Sequence, residues 1–406
     1  MEQVICVNGE MNCSACGACF AMCPKQAISM CEDKHGFLYP RIDTNLCVDC
    51  GRCVLACKGC TEVLEVDPLK VYAAAGKNTE LVLASASGGI FASVALKVLN
   101  AGGKVAGAIL KLEDGNLDVC HLLSDSMQDL HHMQGSKYVQ SDAWKCYKEV
   151  IRAIKQGDTV LFSGTPCQVA AVKSITGNPE NLLTMDIICH GVPSSAMLRE
   201  YLGILAKRFM GNIEGFVFRD KSCSKNYCAR IDMRRANRHY KYYLRSSYIS
   251  FYKYFLESVI FRENCYNCPY ACGKRVSDLT IGDYWGIEQI HAKEIHSDEF
   301  KDHKHWSCLL VNTVKGQRLV EQCSNELDLI PSEMEWVAQA NRQLNAPGKK
   351  PAKRAHVLNA FEHGGYAEVE RGFQQESGGF LRFFWRTYKD MKRNDRNRNH
   401  HLEENL

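Results

Sequence analysis

Eight cysteines near the start of the chain fall into two copies of one phrase. The first is Cys13-x2-Cys16-x2-Cys19-x3-Cys23 followed by Pro24, the second Cys47-x2-Cys50-x2-Cys53-x3-Cys57, and each has a glycine after its second cysteine. Thiolates two residues apart wrap one corner of an iron–sulfur cubane without straining the backbone, and in two-cluster ferredoxins the fourth cysteine of each run ligates the other cluster. This spacing assigns Cys13, Cys16, Cys19 and Cys57 to one [4Fe-4S] cluster and Cys47, Cys50, Cys53 and Cys23 to a second. Zinc is the alternative, but three cysteines per run followed by a fourth exceed what one zinc ion needs. Cys57 is followed by Lys58-Gly59-Cys60 where the first copy has Pro24, so Cys60 competes as fourth ligand and spacing favours Cys57. Cys6 and Cys31 lie outside the phrase and read as plain buried thiols. Two clusters this close imply an electron relay, for which the rest of the chain must supply a partner.

The elements that position such a relay have ample chain to draw on. With 406 residues there is room for a small cluster carrier and one large domain or two modest ones. Twenty-two cysteines, no recognisable signal peptide and a phrase that needs reduced thiolates point to a reducing compartment, the cytoplasm. No apolar run reaches the roughly 18 residues of a membrane span. A formal charge of +4 gives no argument for nucleic acid.

Short strands are expected after each cysteine run, at Ala27–Met30 and Val63–Val66, with a hairpin turn at His35-Gly36-Phe37-Leu38-Tyr39-Pro40 between the copies. Beyond Asp67-Pro68, a strand-like Leu81–Ala84 runs into Ser85-Ala86-Ser87-Gly88-Gly89 and a helix from Ile90 to Asn100. Strand, Ser/Gly turn and helix make a phosphate cradle, because backbone N–H groups at a helix N-terminus attract an anion. A serine N-cap with a permissive turn is the plainer reading. The turn is not a GxGxxG fingerprint, so a dinucleotide fold of the usual kind is not supported.

Further strands are expected at Val105–Leu112, Thr159–Phe162 and Leu182–Ile188, and helices at Asp125–Met133, Ala143–Gln156 and from about Ser194. Gly135-Ser136-Lys137-Tyr138 follows the first of these helices, with Lys137 a phosphate candidate. Two strands empty into cysteine-bearing turns, Ser163-Gly164-Thr165-Pro166-Cys167-Gln168 and Cys189-His190-Gly191-Val192-Pro193, where ligand crevices of open α/β sheets lie. Cys265-x2-Cys268-x3-Cys272 needs at least one further ligand from elsewhere, and a zinc knuckle is its alternative reading. Cys120, Cys146, Cys223, Cys228, Cys308 and Cys323 show no ligand spacing and read as packing residues.

The fold class expected is an α+β ferredoxin-like two-cluster domain (1–66), able to carry clusters on its own, followed by an α/β domain (67–345) with a mostly parallel sheet and a β-rich insertion over 213–244. Residues 346–406 read as a basic helical C-terminal tail with a disordered end. Its Phe380, Phe383, Phe384 and Trp385 among Arg382, Arg386 and Lys389 suit docking on the protein itself better than a membrane surface.

The phrases His35–Pro40, Ser87-Gly88-Gly89, Gly135–Tyr138, Gly164–Gln168, Cys189–Pro193 and Thr280-Ile281-Gly282-Asp283-Tyr284-Trp285-Gly286, in this order, resemble the coenzyme F420 hydrogenase/dehydrogenase beta-subunit family. The resemblance implies a flavin-binding α/β domain, usually for FAD, and one further [4Fe-4S] cluster, three in all. It places FAD at Ser85, Ser87, Gly88, Gly89, Gly135, Ser136, Lys137, Tyr138 and Thr165. The further cluster falls to Cys167, Cys189, Cys265 and Cys268, with Cys272 the rival ligand. The implied activity is that of an oxidoreductase passing electrons between a soluble two-electron carrier, F420 or NAD(P)H, and one-electron acceptors reached through a redox protein partner. A flavin is required because cubanes pass electrons singly and such carriers give them in pairs. An electron-transfer subunit without a substrate of its own is the alternative. No catalytic acid or base is assigned; His190, beside Cys189, is more a hydrogen-bonding residue than a catalyst.

Overall fold

The structure is a computed structural model, described over residues 3–4, 12–57, 65–113, 115–222 and 228–377. Cys6, Cys60, Cys223 and the basic aromatic stretch from Phe380 lie outside the described residues, as do residues 63–64 of the strand expected at 63–66.

The N-terminal segment contains β1 (Gln3–Val4), α1 (Ala18–Met22), β2 (Ile28–Glu32), β3 (Leu38–Ile42) and α2 (Arg52–Ala56). Its strands form an antiparallel sheet in the order β1-β3-β2. The turn between β2 and β3 is shorter than the six-residue phrase suggests. The Asp33 carboxylate accepts from the backbone N–H groups of His35 and Phe37 at 2.9 and 2.8 Å, an Asx-type closure, and Leu38–Pro40 already belong to β3.

The main body follows as β4 (Lys70–Gly76), α3 (Thr79–Ala84), α4 (Ile90–Asn100), β5 (Lys104–Glu113), β6 (Asn116–Ser124), α5 (Met127–Met133), α6 (Trp144–Lys155), β7 (Val160–Gly164), α7 (Pro166–Thr176), β8 (Leu182–Ile187) and α8 (Ser195–Phe209). The antiparallel insertion β9 (Asn212–Val217), β10 (Cys228–Arg235) and β11 (Arg238–Arg245) comes next, as expected, then α9 (Ser250–Leu256). The rest is β12 (Leu279–Asp283), α10 (Ile287–Ile290), α11 (Ala292–Ile295), β13 (Ser307–Val311), α12 (Val314–Gln322), β14 (Leu327–Ser332), α13 (Met334–Ala340) and α14 (Arg354–Glu376).

Eight strands form one sheet in the order β14-β4-β13-β12-β8-β7-β5-β6. The sheet is mixed, which corrects the expectation of a mostly parallel one. Only β5, β7, β8 and β12 run parallel to one another; β6, β13, β4 and β14 pair antiparallel. Helices α5 and α6 and strands β7 and β8 fall where expected, but β6, hairpinned onto β5, is not among the expected strands, and β13 enters antiparallel between β12 and β4, a non-local pairing that no local pattern announces. The strands alternate between two cores. Ala74, Leu309 and Val311 face α4, α5 and α12, whereas Ala73, Cys308 and Leu310 face α10, α13 and Trp306.

The expected strand over Leu81–Ala84 is instead α3. Asn78 caps it by accepting from the Leu81 N–H at 3.1 Å, and it buries Leu81 and Val82 while Leu83 stays 57% exposed, a one-sided burial that suits a helical turn. The strand that feeds the Ser/Gly turn is β4, further upstream. Residues 354–376 are not a tail either. Helix α14 buries Val357, Leu358, Phe361, Tyr366 and Phe373 in the same core as α8, α9 and the β9–β11 sheet.

The N-terminal segment shares the cores of the main body. Ala18 and Ala56 pack with Trp144 and Tyr147 of α6, while Phe37 and Tyr39 pack with α8 and α9. A β-carbon on Gly17 would stand 2.4 Å from Trp144 Cβ, so only glycine allows this approach. Where the chain leaves the segment, Val66 and Arg275 exchange both backbone hydrogen bonds, at 2.9 and 2.8 Å.

Candidate functional site

Each cysteine run folds as a loop, one short helix and an extended exit. Matching positions adopt the left-handed conformation, Ala15 and Asp49 and then Gly17 and Gly51, after which α1 and α2 begin; Cys23 and Cys57 follow those helices in extended geometry. The fourth cysteine of each run lies near the thiols of the other. Cys19 has Cys16, Cys13 and Cys57 as its charged neighbours, whereas Cys53 has Cys23 and Cys47. Burial first, then these neighbours, push the Cys16 thiol up to about 12 and Cys19 higher still. A thiolate persists at such positions at neutral pH only beside a cation, the condition a cationic iron–sulfur core meets. Among the described residues no three Cys, His, Asp or Glu side chains close into the tight shell of a single ion. A cubane holds each thiolate on a different corner and asks for wider spacing.

A second gathering of thiols comes from three separate places. Cys167 stands in the first turn of α7 just beyond β7, Cys189 just beyond β8, and Cys265 and Cys268 in and after a 3-10 turn at Glu263–Asn267. Because β7 and β8 are parallel neighbours, their C-terminal ends open on one edge of the sheet. The Cys189 thiol is raised by burial and then by Cys265, Cys167 and Cys268, so all three lie within electrostatic reach of it. Burial likewise lifts Cys167, Cys265 and Cys268, each to about 11. The rival Cys272 turns the other way, its Sγ 3.8 Å from a Glu65 carboxylate oxygen. Burial and that carboxylate lead the influences that raise its pKa. Cys16 and Cys167 sense one another, which joins this gathering to the first run.

All four thiols line a cavity of about 320 Å³. Its far wall is the Ser85–Gly89 turn and the start of α4. That helix begins on Gly89 with φ +80° and no side-chain cap, leaving its first N–H groups for an anion. By contrast α7, which also opens on the cavity, is closed by its own capping box, with Gln168 Oε1 accepting from the Thr165 N–H at 3.0 Å. Lys221 Nζ donates to the carbonyls of Ser87 and Val82 at 2.5 and 2.6 Å and pins the turn. Burial lowers Lys221 to about 8. His305 is brought down to about 4 by burial and by Lys221, Arg219 and Lys304, so the surroundings of the turn are electropositive.

The expected flavin residues do not all serve as expected. Ser85, Ser87, Gly89, Gly135, Ser136, Lys137, Tyr138 and Thr165 border the cavity. Gly88 lies beneath it, where a β-carbon would stand 2.7 Å from the Ala74 carbonyl oxygen and 2.8 Å from the Ser307 nitrogen. Lys137 spends all three N–H donors on the carbonyls of His132, Met133 and Gln134, each at 2.8 Å, which caps α5 and leaves none for a phosphate. Thr165 Oγ1 sits 3.1 Å from the Cys167 sulfur and belongs with the thiols. Tyr138 stacks on Phe255 with ring centroids 4.4 Å apart. His190 borders the cavity, its Nδ1 accepting from Gln343 Nε2 at 3.1 Å, and burial lowers its pKa.

Residues 157–335 match the family described as the C terminus of the coenzyme F420 hydrogenase/dehydrogenase beta subunit, and residues 12–59 match a 4Fe-4S dicluster domain. Over residues 157–335 the chain is thus similar to the coenzyme F420 hydrogenase/dehydrogenase beta-subunit family. A subunit of the F(420)H(2) dehydrogenase of Methanosarcina mazei is 25% identical over 206 residues, 47% of this chain and 58% of that protein, so the chain spans little more than half of that relative's length. Among solved structures, the F420-reducing [NiFe] hydrogenase complex of Methanosarcina barkeri, in a xenon derivative, is similar at 14% identity with a TM-score of 0.44, covering 74% of this chain and 94% of that one.

Sequence reading missed a polar floor to the cavity. His121 on β6 is buried, its Nε2 2.9 Å from the Ser163 carbonyl and its Nδ1 3.1 Å from Ser141 Oγ. Since a carbonyl only accepts, Nε2 carries the proton, and burial brings the imidazole down to about 4. Gln168 Nε2 completes the chain by donating to Ser141 Oγ at 3.1 Å. A lone histidine in an alternating strand gave no signal of this. No helix among the described residues is long and apolar enough to cross a membrane.

Proposed function

We propose that the chain is an iron–sulfur flavoprotein oxidoreductase that moves electrons between a two-electron carrier, F420 or NAD(P)H, and one-electron acceptors through FAD and three [4Fe-4S] clusters. The observation that carries this reading is the shared cavity, with a basic, uncapped helix N-terminus on one wall and four convergent thiols on the other. The name of the relative, which is part of an F420H2 dehydrogenase, supports a deazaflavin as the carrier.

When bound, the flavin supplies the exchange between paired and single electrons. The residues of this chain do the positioning. The N–H groups opening α4 would hold the pyrophosphate, with Lys221 fixing the turn that presents them, and Cys167, Cys189, Cys265 and Cys268 would hold the third cluster on the thiol-lined wall of the cavity. Cys13, Cys16, Cys19 and Cys57 form the next station, and Cys47, Cys50, Cys53 and Cys23 the last. Cys50 is exposed there, among Leu46, Val48 and Leu55, the last 72% exposed, a surface on which a redox protein partner can dock.

The test is anaerobic purification with iron, flavin and spectral assays. About twelve irons and one FAD per chain are expected, and reduced F420, NADH or NADPH should bleach the flavin band. Full cofactor content with no bleaching by any of the three would favour the electron-transfer subunit instead.

A further inference from the structure

Arg262 is 1% exposed, and its guanidinium reaches the backbone of the first thiol gathering and lies within electrostatic range of the second. Nη2 donates to the Leu38 carbonyl at 2.6 Å, Nη1 to the Cys13 carbonyl at 3.4 Å and Nε to Gln140 Oε1 at 3.0 Å. The cation also lies 4.6 Å above the Tyr39 ring and 5.4 Å above that of Phe37. Every one of these partners is formally neutral. No carboxylate of the described residues lies within ion-pair distance of it.

Its neighbours show how unusual this is. Arg275, beside Cys268, pairs with buried Asp186 at 3.0 Å, and Arg354, beside Cys265, pairs with Glu263 at 3.3 Å. Of three arginines around one set of cysteines, the most isolated from solvent is the one without a counter-ion. A guanidinium cannot discard its proton, and an unbalanced buried charge is strongly unfavourable. Neutral acceptors and aromatic faces soften that cost without cancelling the charge. The negative charge within reach is that of the cysteines, since Cys167 and Cys265 both feel this guanidinium. The Arg262 carbonyl accepts the Cys265 N–H at 3.0 Å, so cation and ligand loop move as one.

We propose that Arg262 is the counter-charge of the third cluster and, through its bond to the Cys13 carbonyl, also raises the reduction potential of the first. The proposal rests on the third-cluster reading given above. A cubane held by four thiolates is an anion, more negative by one charge when reduced, so a fixed buried cation favours the reduced state and raises its potential. Arg262 is thus a positioning and tuning residue that need not touch substrate or iron.

The test compares Arg262→Gln and Arg262→Lys with the parent full-length chain by iron content and EPR-monitored redox titration. Arg262→Gln should move the midpoints of two cluster signals to more negative values, leave the third signal in place, and lower the thermal midpoint more in the cluster-loaded protein than in the iron-free one. Arg262→Lys keeps the charge and should restore most of the potential. If Arg262→Gln sheds the third cluster while Arg262→Lys retains it, charge is again the requirement. Equal midpoints in all three proteins, equal losses of thermal stability with and without iron, or loss of iron from both variants alike would overturn the proposal and leave Arg262 a packing residue. Cys265→Ser separates the two ideas. Iron content unchanged in that variant defeats the third-cluster reading itself, whereas lost iron there with unmoved potentials in Arg262→Gln defeats only the role of the arginine.

Discussion

Trp144 closes over Gly17 so tightly that the helix inside the first cysteine run has no room for a methyl group at its N-cap. The equivalent glycine of the second run, Gly51, has nothing within 4 Å of its would-be β-carbon. Both residues are left-handed, with φ of +77° and +69°, so alanine at either position carries a backbone penalty of about 1 kcal/mol. Gly17→Ala should cost a further ~1–3 kcal/mol from overpacking. Denaturant midpoints of the two variants, measured side by side under anaerobic conditions, should differ by that amount. Equal midpoints would mean that the N-terminal segment is not docked on α6 as described.

The cysteines after Arg262 divide by what they face. Cys268→Ser should remove about four irons per chain and cut reduction of the N-terminal clusters by the flavin. Cys272→Ser should keep its iron, because that thiol faces Glu65 and stands apart from the other four. The reverse pattern in an iron assay would move the fourth ligand to Cys272.

Phosphate binding at the start of α4 is best tested at Ala86. Its methyl borders the cavity and makes no hydrogen bond to lose, whereas a side chain at Gly88 would strike backbone and disturb β4 and β13 whatever the ligand. Ala86→Asp sets a carboxylate against the pyrophosphate and should abolish the yellow colour while iron content stays at the parent level. Normal flavin content in Ala86→Asp would place the phosphates elsewhere.

His121 gives the fold a pH dependence of known sign. Its folded pKa, about 4, lies below the ordinary 6.5, so the unfolded chain binds the proton more readily. The stabilising contribution is complete above pH 6.5 and is lost as pH falls toward 4, with a slope approaching about 1.4 kcal/mol per pH unit. His121→Gln can keep both hydrogen bonds without titrating. Between pH 7.5 and 5.5 its unfolding free energy should fall less than that of the parent, and identical slopes would show that His121 does not titrate on unfolding.

The two cysteine runs were legible because metal ligation imposes spacing on the sequence itself, and Cys167 and Cys189 because a strand end is a local event. The order of the central sheet was not. Nothing local in Ser307–Val311 says that this strand runs antiparallel between β12 and β4. Lys137 was misread for a related reason. A lysine after a helix looks like a phosphate ligand until the three carbonyls it closes on are seen. The polar floor at His121 was invisible because its partners, Ser141 and Ser163, come from other elements.

The pairing of Val66 with Arg275 bears on how such a chain can be recombined. Arg275 returns a hydrogen bond to the backbone leaving the N-terminal segment, while its side chain reaches buried Asp186 and Thr280 at the centre of the sheet. A chimera cut near residue 66, joining this body to a foreign eight-cysteine module, would therefore sever a main-chain seam as well as a linker. To conduct, the graft would have to bring its own match for that seam and for the surface of α6, so module and body are expected to be inherited together.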